Sequence, residues 1–235
     1  MNEIKVLLFI VEGPSDEQSL APALESIIAK NNVKFKVMHT DITSDYASTK
    51  ENIEKRIKEQ AVKKFLNDNT QFNSSDICGI VHIVDTDGVF IPDTNIKQGS
   101  KEKPFYDSEC IYCKDVSLYQ KTRSNKRDIL KHLSSINIIS IPFGHKVPYS
   151  IYYMSCNLDH VLHNKKNSTE QEKKEDSLLF SDNYDDPIKF EEFFNSKEIK
   201  VPGTYSDTWN YIAIDLHSLK RGSNFWLCIN KYKSK

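Results

Sequence analysis

No stretch of this 235-residue chain approaches the run of about 18 apolar residues that crosses a bilayer, so no membrane partner is expected. Excess charge of one sign is also missing. Lys and Arg total 32, Asp and Glu total 33, and the formal net charge is −1. Any nucleic acid would therefore meet a local basic patch rather than a global field. Cysteine is sparse and odd in number, at five, and there is no secretory pattern. Together these point to free thiols in a reducing cytoplasm. The first apolar stretch is short, ends at Glu12 and has no small-residue cleavage site after it, so it reads as a buried strand and not as a leader. Glycine is scarce, at 7 residues. The charged fraction is ordinary at 28% and the aromatic fraction is raised at 11%, which argues for a folded chain.

The chain opens on a near-continuous apolar run over 4–11, as a strand covered on both faces requires. A helix follows. Ser15 and Gln18 have capping-box spacing, Leu20, Leu24, Ile27 and Ile28 form its stripe, and Pro22 predicts a kink or a late start. Val33, Phe35 and Val37 alternate as a second strand over 33–39. Residues 50–66 carry Ile53, Ile57, Val62, Phe65 and Leu66 at helical spacing. Residues 77–84 are a third strand. This β-α-β-α-β order favours a parallel sheet. Residues 91–118 read as an irregular insertion, 125–134 as a helix, 136–143 as a fourth strand and 150–154 as a further strand running into a helix. Residues 164–176 read as a loop or an exposed helix start. A stripe of Trp209, Ile212, Leu216 and Leu219 and a short apolar element over 225–229 close the chain.

Two acidic clusters end apolar strands. Glu12-Gly13-Pro14-Ser15-Asp16-Glu17 follows the first strand, and Asp85-Thr86-Asp87-Gly88 follows the third. Ligand sites of α/β sheets lie outside the carboxyl ends of parallel strands, so Glu12, Asp85 and Asp87 are candidates to aim at one point. Their order, the two strand ends and the β-α unit between them resemble the toprim domain. That domain is shared by topoisomerases, bacterial primases, small ribonucleases and the OLD-type (overcoming lysogenization defect) nucleases. The resemblance covers about the first 145 residues and rests on short motifs.

It implies an α/β fold, a toprim-like (Rossmann-like), mostly parallel sheet flanked by helices. A catalytic domain over 1–145 would carry an α-rich extension over 146–235. Glu12 resembles the glutamate that binds metal or acts as general acid/base, and Asp85 and Asp87 resemble the metal-binding pair. Asp16 stands where OLD-type nucleases often place another acid, and Asp159 in Cys156-Asn157-Leu158-Asp159-His160 is a further candidate ligand. The implied activity is a Mg²⁺/Mn²⁺-dependent endonuclease acting on DNA or RNA. Resemblance to the OLD-type and related abortive-infection nucleases implies a role in phage defence, with an ATPase partner or self-assembly. The chemistry is coherent in itself. Phosphodiester cleavage needs charge stabilised on phosphoryl oxygens and an activated water, which a carboxylate-held Mg²⁺ or Mn²⁺ supplies.

Asp85-Thr86-Asp87-Gly88-Val89-Phe90 also resembles the first motif of haloacid-dehalogenase-like phosphatases. Asp85 would then be the nucleophile, Asp87 the acid/base and Asp185-Asp186 a late Mg²⁺ pair. That motif normally opens its fold, whereas two β-α units precede it here, and it leaves Glu12 to Asp16 without a role. A third possibility is a non-catalytic toprim-like module docking an ATPase. Lys121, Arg123, Lys126 and Arg127 form a basic cluster suited to phosphate contacts, or to a solvated helix start. Lys220-Arg221 reads as a helix C-terminal pair. Cys110-Ile111-Tyr112-Cys113 has zinc-ligand spacing, with His160, His163 and Cys156 as further ligands, against free thiols. His82, inside a strand, reads as a core histidine and not a ligand, and Trp209, Tyr211, Phe225 and Trp226 read as core at helical spacing among Ile and Leu, against base stacking.

Overall fold

The computed structural model describes residues 5–28, 33–39 and 41–233. Residue 4 of the first expected strand lies outside them. The first half builds β1 (Lys5–Val11), α1 (Pro14–Ile28), β2 (Val33–His39) and a helical run over 53–68. That run comprises α2 (Ile53–Arg56), a π-helical stretch (Ile57–Lys63) and α3 (Lys64–Asp68). Next come β3 (Ile77–Asp85), three short strands β4 (Ile96–Gln98), β5 (Phe105–Tyr106) and β6 (Ile111–Cys113), and α4 (Val116–Ser135). The remainder is β7 (Ile138–Ser140), β8 (Lys146–Met154) and helices α5 (Leu158–His163), α6 (Glu170–Asn183), α7 (Pro187–Asn195), α8 (Tyr205–Ile212) and α9 (Trp226–Tyr232).

Five strands form one sheet in the order β2-β1-β3-β8-β7. β2, β1, β3 and β8 are parallel, and only β7 is antiparallel, against β8. The apolar run of β1 is explained by helices on both faces. Val6, Leu8 and Ile10 join a core with Ile53, Ile57 and Phe65 of the 53–68 run, with Ile129, Leu130 and Leu133 of α4, and with Trp209 and Ile212 of α8. Leu7, Phe9 and Val11 join the opposite core with Leu20 and Leu24 of α1, Phe180 of α6, Phe190 and Phe194 of α7, and Ile229 of α9. Period-two alternation thus feeds two hydrophobic layers. Among the described residues, no helix is long and apolar enough to cross a membrane.

Several expectations shift. The 91–118 insertion carries a second sheet, β4-β6-β5, on a small core of Ile91, Ile96, Ile111, Cys113, Cys156 and Leu219. Helix α4 starts at Val116, not near 125, because the Asp115 carboxylate accepts from Leu118 N at 2.9 Å and caps it there. The strand expected over 136–143 shortens to β7, since Pro142 opens a 3₁₀ turn. The strand expected at 150–154 begins at Lys146. The 145/146 boundary therefore falls between two paired strands of one sheet, and the chain beyond β8 is mainly helical. Residues 170–183 form a full helix with a Thr169–Glu172 capping box. Pro22 lies inside α1 without ending it.

Candidate active site

The order 2-1-3 makes the gap between β1 and β3 a switch point. The chain leaves β1 through α1 toward β2, and leaves β3 toward β7 and β8 on the other side. A crevice forms outside the carboxyl ends of strands at such a point. Glu12 follows the last residue of β1, and Asp85 ends β3. The two are in contact, because Glu12 Oε1 accepts from Asp85 N at 3.2 Å.

Local chemistry fixes each acid. Pro14 opens α1, where a missing N–H costs nothing. The Asp16 carboxylate reaches back to Glu12 N at 3.1 Å and Gly13 N at 3.0 Å. Asp16, rather than the Ser15/Gln18 pair, therefore holds the β1–α1 turn. Asp85 Oδ1 accepts from Leu158 N at 2.9 Å, which seats the start of α5 on the end of β3. The other end of α5 is held by Arg221, whose guanidinium donates to the carbonyls of His160, Val161 and Leu162 at 2.9–3.1 Å. Past β3, Thr86 N donates to Met154 O and Asp87 N to Cys156 O, at 3.0 and 2.7 Å, so the β3–β8 ladder continues into the acidic turn.

Asp87 and Gly88 both adopt positive φ, at 47° and 61°. A Cβ on Gly88 would stand 2.8 Å from side-chain atoms of both Ile111 and Leu219. Gly88→Ala is expected to destabilise the protein by at least about 1–2 kcal/mol from the left-handed backbone alone, before the clash is counted. Urea unfolding measures the loss, and an unchanged midpoint would refute this account of the turn.

Lys126 enters the cluster from α4. Its ammonium lies 2.6 Å from Asp87 Oδ2, 2.8 Å from Ser44 Oγ and 3.4 Å from Glu12 Oε1. The side chain is only 5% exposed. Burial opposes its charge, yet Asp87 and Glu12 hold it protonated above the usual lysine range. Burial pushes the Glu12 carboxyl up to about 8 despite Lys126, with Asp41, Asp87 and Asp16 adding to the rise. Burial and the neighbouring Glu12 also raise Asp85, and burial raises Asp16. Asp159, in the first turn of α5, is raised to about 6, mainly by burial.

Glu12, Asp85, Asp87 and Asp159 line one cleft of about 390 Å³ together with Asp41. Its other walls carry Lys101, Lys103, Lys166 and Lys173. These lysines lay in segments that read as insertion and loop, and only proximity in the fold joins them. The expected basic cluster divides. Arg123 is buried and donates to Asp93 and to the carbonyls of Val89 and Ile91, so it staples the loop after Gly88. Lys126 pairs with the acids. Lys121 is exposed and Arg127 half-buried, and neither lines the cleft. A stripe of Arg123, Lys126, Leu130 and Leu133 at helical spacing was the signal in the sequence that the two basic residues face inward.

The donor set suits a hard divalent cation, since every candidate ligand is a carboxylate. Hydrogen bonds among the described residues fall on one oxygen of each of Glu12, Asp85 and Asp16, leaving the second oxygen for another cation. Three such side chains are not already drawn together as a cage among the described residues, and Lys126 stands between Glu12 and Asp87. At the Cys-x-x-Cys pair, Cys113 is buried and its thiol faces the carbonyls of Lys97 and Asp115. His82 is buried against the Tyr149 hydroxyl at 2.9 Å, and burial lowers its pKa to about 3. Trp209 and Phe225 are core residues, as expected, whereas Trp226 is half-buried and Tyr211 is exposed, stacked on His217.

Fold and site together define a mixed α/β protein, with a mostly parallel sheet and an acidic, lysine-rimmed cleft at its carboxyl edge. Compared with protein-family models, curated proteins and solved structures, the chain matches none.

Proposed function

We propose that the protein is a toprim-like, Mg²⁺- or Mn²⁺-dependent nuclease that cleaves phosphodiester bonds of DNA or RNA. The observation that carries this reading is the placing of Glu12 and Asp85 in contact at the switch point, with Asp87 tied to Glu12 through Lys126. Glu12, Asp85 and Asp87 would hold the cation, with Asp16 and Asp159 beside them. A bound Mg²⁺ or Mn²⁺ supplies charge stabilisation on the phosphoryl oxygens and an activated water.

The chain's own residues do the rest. Glu12, whose carboxyl lies near 8 in the metal-free protein, must release that proton to hold the cation, so metal binding is expected to strengthen as pH rises. Lys126 keeps its charge and fixes the orientation of Glu12 and Asp87. The cleft lysines offer phosphate contacts, which dominate nucleic-acid affinity. The phosphatase reading draws less support, because Asp186 of its late metal pair caps α7, accepting from Ile188 N and Lys189 N. A role in phage defence, with an ATPase partner or self-assembly, extends the toprim resemblance and rests on that analogy.

The test is cleavage by the purified protein in Mn²⁺ of plasmid, linear and single-stranded DNA and of RNA, beside a small phosphomonoester. Nucleic-acid cleavage that EDTA stops is expected. Hydrolysis of the phosphomonoester with every nucleic acid left intact would overturn the nuclease reading.

A further inference from the structure

We infer that the cleft accepts a single polynucleotide strand in preference to a duplex. This deepens the nuclease reading, on which it rests for the reaction at the bound phosphate. Residues 101–106, strand β5 and the loop before it, form one wall of the cleft, and residues 157–173 form the other. The walls are bonded to each other. Asn167 receives Tyr106 N on its Oδ1 and donates its Nδ2 to Tyr106 O, both at 2.8 Å. Lys166 Nζ donates to Asp107 O at 2.8 Å, and Lys103 Nζ pairs with Glu170 at 3.0 Å. The Asn167 and Lys166 bonds set the width of the cleft, and the exposed Lys103–Glu170 pair adds little to them. Its volume of about 390 Å³ is at the small-ligand end of the range for binding pockets, about 300–1,000 Å³.

A duplex phosphate cannot reach Glu12 and Asp85 alone. It brings its base pair and the second backbone, across grooves about 6 and 12 Å wide, and the bonds between the walls would have to break. A single strand brings one phosphate and one base. The cleft also continues outward. Glu170 and Lys173 line both it and a second groove of about 360 Å³ between α1 and α6, a mainly apolar groove that also carries Lys174 and Gln18. Beside the six carboxylates of the cleft, Lys101, Lys103, Lys166 and Lys173 supply cations for a sugar-phosphate backbone, and cations with an aromatic ring beside them hold single strands without sequence preference. Phe105 supplies the ring, half-buried in the wall with the Lys101 ammonium 3.7 Å from its centroid.

The experiment measures binding by fluorescence anisotropy with Asp85→Asn protein in Mg²⁺, against a 20-nucleotide single-stranded DNA, the same sequence as RNA, and the corresponding duplexes. Single strands are expected to bind at least tenfold more tightly than duplexes. The DNA and RNA arms show which sugar is preferred. Lys103→Ala and Lys173→Ala are each expected to lower the salt slope by about 0.7, the value for one phosphate contact on a single strand. Lys103 is 83% exposed, so its removal tests binding and not folding. Equal or tighter duplex binding, or a salt slope that neither lysine variant changes, would overturn the inference. Cleavage confined to duplexes would overturn it while leaving the nuclease reading intact. Selective single-strand binding with no cleavage of any substrate by the wild type would support it and overturn the nuclease reading instead.

Discussion

Glu12→Gln and Asp85→Asn are each expected to lower metal-dependent cleavage at least about a hundredfold, the scale set by losing one electrostatic contact to developing charge, without unfolding the protein. Both changes keep the shape of the side chain. Asp85→Asn leaves an amide oxygen to accept from Leu158 N, and Glu12→Gln leaves one to accept from the backbone N–H of residue 85. Stability is expected to hold or rise near neutral pH, because these are buried carboxyls whose pKa values folding raises. The sign follows from linkage. The folded chain holds a proton on Glu12 up to about 8, whereas the unfolded group releases it near 4.5. The folded state therefore binds more protons across that interval, and wild-type stability falls as pH rises through it. Glu12→Gln removes the share of that slope due to Glu12 and leaves those of Asp85, Asp16 and Asp159. Single-turnover cleavage rates, with urea unfolding in EDTA at pH 5 and pH 8, measure both effects. Full activity in either variant would remove that residue from the catalytic set, and an unchanged pH slope in Glu12→Gln would refute the buried-carboxyl account.

The positions of these acids were legible in the sequence because strand ends are. β1 and β3 are apolar runs stopped by carboxylates, and a parallel α/β sheet brings such ends to one edge. The helices of the first half followed from their apolar stripes. What the sequence concealed depends on contacts between segments distant along the chain. The small sheet has strands of two or three residues, too short for alternation to register, and its core borrows Cys156 and Leu219 from far downstream. The basic cluster misled because charge predicts solvent exposure, whereas Arg123 and Lys126 continue the buried face of α4 past Ile129 toward the acids. The lysine wall gave no signal at all. Lys101 and Lys103 meet Lys166 and Lys173 only across a cleft whose walls are joined by the Tyr106–Asn167, Lys166–Asp107 and Lys103–Glu170 bonds.

Lys126→Met is expected to destabilise the metal-free protein by about 3–5 kcal/mol at pH 8.5, the cost of removing one partner from a buried charge cluster. The ammonium is the one cationic group bonded to both Glu12 and Asp87 among the described residues. All three side chains are less than a third exposed, so solvent screens the loss little. Methionine keeps the length and the apolar stem of lysine, so the change isolates the charge. Without Lys126, which now lowers it, the Glu12 carboxyl rises further, and Asp87 loses its nearest cation. The interval over which stability falls with pH therefore extends upward in the variant. Wild-type Lys126 is held above the ordinary lysine range, so its contribution is complete below about 10.4 and is lost only as pH climbs through its folded value. The deficit of Lys126→Met is thus expected to be greatest in the alkaline range and to shrink at pH 5, where Glu12 carries its proton in the folded state. Urea unfolding of both proteins in EDTA at pH 5 and pH 8.5 gives the comparison. An equal deficit at the two pH values would mean that Lys126 contributes packing and not charge, and a negligible deficit at pH 8.5 would show that the acidic cluster holds together without it.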